Sequence, residues 1–362
     1  MRMNLRAITL ALGTAFILVG CGTDDVQSLN PTPPSQSAGF KQVVSFGDSL
    51  SDAGTYNPTT GDTDPSNDSA TGLMFTTKPG GTWATYVASD LGLPLGPRQQ
   101  VNFGIVNNNG KIIQLDGTDY AEGGARVAVD DGTNGVSNVT IPGLGTVPVQ
   151  QATARSIKLQ IDAYLADHGN SFNDTQLVLV QGGANDFFYF FSTTPPANLQ
   201  ANAPAFIQAT VTSIVTQIGR LKAAGAKHIL YSNMPDLGLT PQFLAQGAQA
   251  AGLATQLTAA YNTAVKQQLD AMGVKVYDTA GLIQAVVATP ANYGMTNVTS
   301  PVCNSYTASP PSLANLSALI CSPTTLVGNP NQYLFADGVH PTARAHSFWG
   351  DAVAQMALAG QI

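Results

Sequence analysis

Basic residues are scarce in this chain of 362 residues: 15 Lys and Arg stand against 22 Asp and Glu, for a formal net charge of −7. Two of the fifteen, Arg2 and Arg6, lie in the first twenty residues, so a chain shortened there carries −9. An acidic chain repels phosphate backbones, which excludes nucleic acid as a natural partner. Cysteine is nearly absent, with only Cys21, Cys303 and Cys321. The N-terminal apolar run, Ala7 to Val19, is too short to span a bilayer comfortably as a permanent helix. There is no internal repeat, and no cluster of His, Cys and Asp has metal-ligand spacing, so no metal and no cofactor is expected.

What is present begins with an export signal. Arg2 and Arg6 precede the apolar run, which ends in Leu18-Val19-Gly20-Cys21. That tetrapeptide resembles a bacterial lipobox, whose cysteine is acylated and becomes the first mature residue. The alternative is an ordinary secretory signal with a cysteine nearby by chance. Gly22, not Asp, follows Cys21. By resemblance to bacterial lipoproteins, this implies a lipid-anchored protein sorted to the outer membrane, with secretion as the alternative. Residues 1–20 are thus read as signal and 21–39, polar and holding Pro31, Pro33 and Pro34, as a flexible tether. Residues 40–362 are the expected folded domain. In an oxidising compartment Cys303 and Cys321 are expected to pair, the alternative being two free buried thiols. Closing that loop contributes about 3 kcal/mol in the chain-entropy view.

Past the tether, short apolar runs alternate with amphipathic stretches. Strands are expected at Gln42–Phe46, Leu177–Val180, Ile229–Tyr231 and Val274–Tyr277. Helices are expected over Trp83–Leu93, about 156–166, near 205–224, near 243–271, and from about Thr342 to Leu358. This alternation predicts an α/β fold with a parallel sheet covered on both faces. Thr55–Gly81, about 95–149 and about 292–330 are rich in Gly, Asn, Asp, Thr and Pro, and read as long loops with small hairpins.

Four segments carry chemistry: Phe46-Gly47-Asp48-Ser49-Leu50-Ser51-Asp52, Tyr120-Ala121-Glu122-Gly123-Gly124-Ala125, Gly182-Gly183-Ala184-Asn185-Asp186 and Asp337-Gly338-Val339-His340-Pro341. Each alone is more often a turn or a cap; together, at strand ends, they converge where parallel sheets bind ligands. A serine hydroxyl needs an adjacent base to act as a nucleophile. His340 can serve Ser49 in that way, and Asp337, three residues earlier, can hold the other imidazole nitrogen. The N–H groups of Ser49 and Gly124 and the amide of Asn185 can meet an oxyanion.

These four blocks, with Asn233-Met234-Pro235-Asp236-Leu237-Gly238, resemble the SGNH or GDSL hydrolase family from about Val43 to the C-terminus. The resemblance implies a three-layer, flavodoxin-like fold with a five-stranded parallel sheet and long loop insertions. It implies a serine esterase or lipase acting on lipid or small acyl esters. Asp119-Tyr120 stands where many members have Asn-Tyr or Asn-Phe, which leaves Gly123 and Gly124 as competing oxyanion donors; alignment on the alanine favours Gly124. No G-x-S-x-G occurs, so Ser49 is not on an α/β-hydrolase elbow. The length is expected to leave no room for the β-barrel of the autotransporter members.

Alternatives within this reading are an acyltransferase, a carbohydrate deacetylase, or a surface-binding lipoprotein that has lost catalysis. The protein is expected to be a monomer. His168, His228 and His346 are read as structural. The run Phe187-Phe188-Tyr189-Phe190-Phe191 cannot all face one core. Phe187, Phe188 and Phe190 are therefore expected to include one or two walls of an acyl pocket, against the alternative that all pack under a loop.

Overall fold

The structure is a computed structural model and describes residues 38–57, 73–108, 110–130, 135–303, 318–323 and 325–362. The expected signal, Cys21 and all of the tether but Ala38 and Gly39 lie outside the described residues. In chain order the elements are β1 (Gln42–Phe46), β2 (Tyr56–Asn57), α1 (Trp83–Asp90), β3 (Gln99–Asn102), β4 (Gly104–Ile105), β5 (Lys111–Gln114), β6 (Val136–Ile141) and β7 (Gly145–Gln150). There follow α2 (Ile157–Asp167), β8 (Gln176–Gln181), α3 (Ala184–Thr193), α4 (Leu199–Ala223), β9 (His228–Ser232), α5 (Pro241–Leu244) and α6 (Ala248–Ala271). The last are β10 (Lys275–Tyr277), α7 (Thr279–Ala288), β11 (Asn297–Pro301), β12 (Tyr333–Phe335) and α8 (Ala343–Leu358).

Strand side chains alternate between faces, and here both faces are apolar. Val44, Phe46, Val178, Val180, Ile229 and Tyr231 pack with residues of α2, α3, α4 and α6. Val43, Leu177, Leu179 and Leu230 pack with α1 and α8. Continuously apolar strands are what a parallel sheet buried on both sides requires. The result is a three-layer α/β fold with parallel strands in the order β1-β8-β9-β10.

The sheet has four strands among the described residues, not the five expected. The fifth position, beside β1, is reduced to a lone parallel bridge between Ser45 and Asp119. Ser45 N–H donates to Thr118 O and Tyr120 N–H to Ser45 O, at 3.1 and 2.8 Å. The segment leaves the sheet at once because its polar groups are engaged elsewhere. Asp119 accepts the Ala53 N–H at 2.6 Å, and Glu122 N–H reaches back to Gly47 O. With that bridge counted as a rudimentary second strand, the spatial order is 2-1-3-4-5, and connections diverge between β1 and β8. That divergence opens a crevice at the carboxyl ends of those two strands.

The loop expected around 95–149 carries two small three-stranded sheets, β4-β7-β6 and β2-β3-β5, the second completed by β2 from the expected loop Thr55–Gly81. Helix α4 starts at Leu199, ahead of the expected position, and holds Pro204 inside it. The stretch near 243–271 splits into α5 and α6 at Gly247, whose φ is +95°. Helices α1 and α8 meet through stacked Trp83 and Trp349, with ring centroids 4.8 Å apart. The N–H of Trp83 donates to His346 Nδ1 at 3.1 Å. Burial holds the His346 pKa down to about 3, so a neutral ring caps the start of α1. His228 bonds the Ile362 carbonyl through Nδ1, and His168 lies 3.3 Å from the Tyr120 hydroxyl.

The aromatic run forms most of α3, and helical spacing sorts it. Phe187 is fully buried against Phe206 and Tyr261. Phe190 stacks on Phe206 at 4.3 Å. These two are core residues, which corrects the expectation that they wall a pocket; positions three apart on a helix share a face, and that face meets α4 and α6. Phe188, about 100° around the axis from Phe187, points elsewhere, and Tyr189 is exposed beneath the Arg126 guanidinium. Phe187→Ala is expected to destabilise the fold by roughly 3–5 kcal/mol, read from urea unfolding; a loss below about 1 kcal/mol would show that the face is not packed as described.

Candidate active site

After β1 the chain makes one tight turn in which the N–H groups of Ser51 and Asp52 both donate to Asp48 O. A Cβ on Gly47 would sit 2.7 Å from Gln181 O and 2.9 Å from Ser51 Oγ, so only glycine fits there. The side chain of Gln160, fully buried, pinches the same residue. Its Oε1 accepts the Gly47 N–H at 2.9 Å and its Nε2 donates to Gly47 O at 2.8 Å. This turn lifts Ser49 out of the end of β1 into the crevice, where it is 8% exposed.

His340 arrives from the opposite end of the chain, in the turn before α8. Its Nε2 lies 2.8 Å from Ser49 Oγ, and its Nδ1 lies 2.7 Å from Asp337 Oδ2. An ionised carboxylate can only accept, so Nδ1 carries the proton and Nε2 of the neutral ring is free to accept from the serine hydroxyl. Asp337 Oδ1 also accepts the N–H groups of Val339 and His340, at 2.8 and 2.7 Å. Burial by itself would raise the Asp337 pKa; the facing His340 and these N–H donors outweigh it and hold the carboxyl below its ordinary value. Phe75 covers the imidazole with its ring centroid 5.1 Å away. Asp48, wholly buried beside the serine, has its pKa pushed up by that burial to about 6.

The three expected oxyanion donors border the same cleft. Neither Ser49 N–H nor Gly124 N–H has an acceptor among the described residues. Gly124 has φ +83°, a backbone conformation that favours glycine. A Cβ on Gly123 would strike the Phe75 ring at 2.2 Å, so the two adjacent glycines are needed for different reasons. Asn185, in the first turn of α3, donates through Nδ2 to Ala125 O at 2.9 Å. An amide nitrogen carries two protons, which leaves one for a ligand. Asp186 ties α3 to the glycine loop, accepting from Arg126 Nε and Val127 N–H.

The cleft has a volume of about 390 Å³. Phe188 lines it, together with Leu237 and Val339 from the quoted segments and with three residues to which no local motif points: Phe75, Ile283 and Phe335. These three come from separate segments, the loop before α1, α7 and β12, and each reads in the sequence as an ordinary core or loop residue. The expected wall therefore contains Phe188 alone of the three aromatics singled out.

Cys303 and Cys321 are joined in a disulfide. It stands beside the charge partner of the histidine: Cys303 N–H donates to Ala336 O, and Ala318 N–H, close to Cys321, donates to Asp337 Oδ2 at 3.1 Å.

The GDSL-like Lipase/Acylhydrolase family matches residues 43–353, and the chain belongs to that family. It is a GDSL esterase/lipase, a serine hydrolase acting on esters. Its relatives include a GDSL esterase/lipase of Arabidopsis thaliana, 25% identical over 321 residues that cover 83% of each chain. They also include the esterase EstA of Pseudomonas aeruginosa, 26% identical over 87% of this chain and 46% of that one. Among solved structures, the aryl esterase of M. smegmatis superimposes with a TM-score of 0.42 at 16% identity, covering 88% of this chain and 99% of its own.

Replacing both cysteines (Cys303→Ser, Cys321→Ser) is expected to lower kcat several-fold to about tenfold, because a hydrogen bond to a buried charge is lost or weakened, with little change in KM. Steady-state ester hydrolysis by the refolded variant checks this. A lower melting temperature with unchanged kcat would confine the disulfide to stability.

Proposed function

We propose that this protein hydrolyses acyl esters of lipid-like character through an acyl-enzyme on Ser49. The observation that carries the reading is the continuous hydrogen-bonded series Asp337–His340–Ser49 opening onto an apolar cleft. In the first half-reaction Ser49 Oγ attacks the ester carbonyl carbon while His340 Nε2 takes the hydroxyl proton. The carbonyl oxygen becomes an oxyanion within reach of the Ser49 and Gly124 N–H groups and the Asn185 amide. Its collapse expels the alcohol, which takes the proton from His340. Water then repeats the sequence on the acyl-serine. Asp337 holds the imidazole in the required tautomer and stabilises its cationic form.

The apolar wall supports an acyl chain longer than acetyl, and its volume falls within the range of small-molecule sites. It favours lipid-like esters over acetylated carbohydrates. We also propose that residues 40–362 work as a monomeric hydrolase unit held at the bacterial outer membrane by acylated Cys21, with 21–39 as tether. The lipobox-like sequence ending at Cys21 and the polar, proline-containing stretch after it support that placement.

With a p-nitrophenyl ester, Ser49→Ala and His340→Ala are each expected to lower kcat by about 10⁴-fold or more, because the relay acts as a unit. Asn185→Ala is expected to cost about 10²–10³-fold, the effect of one lost oxyanion donor. Near-normal turnover by His340→Ala would sink the assignment.

Phe188→Ala is expected to lower kcat/KM for an octanoyl ester preferentially over an acetyl ester, by roughly 1–3 kcal/mol in transition-state binding. Equal losses on the two substrates would remove the ring from the acyl wall.

A further inference from the structure

The donor at Gly124 belongs to a peptide unit, not to a residue. In a trans peptide the N–H of one residue and the C=O of the preceding one lie in one plane and point in opposite directions. Whatever holds the Gly123 carbonyl therefore aims the Gly124 N–H. The Gly123 carbonyl is held: the Tyr56 hydroxyl lies 3.0 Å from it. The proton's position in that contact follows from a third group. Ala154 N–H points at the same hydroxyl oxygen at 2.9 Å and can only donate. The oxygen accepts there, and its own proton is left for Gly123 O.

We propose that Tyr56 is the positioning residue that orients and polarises the Gly123–Gly124 peptide, so that the Gly124 N–H meets the oxyanion. Three further observations bear on this role. The Gly123 N–H is fixed by Asp52 Oδ2 at 2.9 Å, so the peptide is anchored on both sides of its first residue. The Tyr56 ring, 1% exposed, is itself held by stacking on Phe103 and edge contact with Phe75. Phe75 in turn covers His340, so one aromatic cluster carries both the oxyanion peptide and the base. Hydrogen bonds in a chain polarise one another in a low-dielectric interior. A carbonyl that accepts from Tyr56 makes its own peptide N–H a stronger donor. Burial also drives the Tyr56 pKa well above its ordinary value, so the proton stays on the hydroxyl across the working pH range.

This inference rests on the acyl-enzyme reading, and the test separates the two. The full-length protein is compared with Tyr56→Phe, Tyr56→4-aminophenylalanine and Ser49→Ala. Turnover of p-nitrophenyl butyrate gives kcat and KM, and inhibition by butylboronic acid, which adds to a serine hydroxyl as a tetrahedral boronate, gives Ki. Tyr56→Phe keeps the ring and loses the donor. Its kcat is expected to fall about 10- to 100-fold, short of the ~10²–10³ seen when a donor is removed outright. Its KM should stay within about threefold, and the boronate Ki should rise in parallel with the loss in kcat. The 4-aminophenylalanine variant restores a donor at the same point and should recover most of both losses. A merely structural hydroxyl would lower the melting temperature and move KM, without the matched changes in kcat and Ki. Wild-type kcat in Tyr56→Phe, with Ser49→Ala inactive, overturns the inference alone. Activity retained by Ser49→Ala overturns the underlying reading as well. Should Tyr56→Phe fail to fold, the amino variant decides: a folded protein with kcat reduced 100-fold or more refutes the role, and near-native kcat with native Ki supports it.

Discussion

A single 2.8 Å hydrogen bond between Ser49 and His340 joins residues 291 positions apart in the chain. Neither residue can reach the other through local structure, so the whole fold is the device that closes this distance. Ser49 is set by β1 and by the tight turn that Gln160 and Gly47 lock to the sheet. His340 is set by the start of α8, and α8 is registered on α1 through stacked Trp83 and Trp349. The serine turn also contacts α1 just past Ser49, since Trp83 Nε1 donates to Ser51 Oγ at 3.0 Å. The two indoles thus fix, on one face of the sheet, the offset between the serine turn and the histidine turn. A close-packed interface of this kind resists small displacements, and catalytic distances tolerate errors of less than about 1 Å.

Carboxylates around the crevice are held mainly by backbone N–H groups. Asp52 accepts from Gly54, Thr55 and Gly123; Asp119 accepts from Ala53 and Ala121; Asp337 accepts from Ala318, Val339 and His340. A side chain that collects several N–H groups sews together loops with no secondary structure of their own, because buried backbone donors must find partners. The long irregular segments need this: the glycine loop is tied to the serine turn by Asp52 and Asp119, and the disulfide-bearing segment to the histidine turn by Asp337. Two further buried acids, Asp186 and Glu122, add an arginine, Arg126 and Arg155 respectively.

Much of the site was legible because its reacting groups sit in short local patterns. Asp337 and His340 are three residues apart, and Ser49 and Asn185 each follow a strand with an apolar signature. Those patterns follow from chain geometry, and the structure brings all of them to one crevice. The groups that support them were not legible. Tyr56, Phe75 and Gln160 act through contacts with Gly123, 67 positions away, His340, 265 positions away (340 − 75), and Gly47, 113 positions away, and nothing in their immediate sequence marks those partners. The five-stranded expectation failed for a related reason: the segment around Asp119 has its polar groups committed to the serine turn, and no local pattern shows that commitment. Helix α3 shows the limit of composition. Five adjacent aromatics indicate that some must leave the core, but only the helix phase, fixed by packing on α4 and α6, selects Phe188 over Phe187 and Phe190.

The same logic explains why the oxyanion side of the cleft needs so much second-layer structure. The base side is built from one short turn, in which Asp337 and His340 are close by covalent connection and need only local hydrogen bonds to align. The oxyanion side is assembled from three separate turns, after β1, at the glycine loop and at the start of α3, none bonded to another through fewer than about sixty residues, as the Asn185–Ala125 contact illustrates. Each added segment has independent freedom, and that freedom has to be removed before the reaction if the donors are to stabilise the transition state without reorganising. The structure removes it by cross-linking every one of these turns to its neighbours: Gln160 to Gly47, Asp52 to Gly123, Tyr56 to Gly123 and Ala154, Asn185 to Ala125, Asp186 to Val127. The burial of polar side chains around a nominally apolar cleft is therefore a consequence of where the donors come from in the chain.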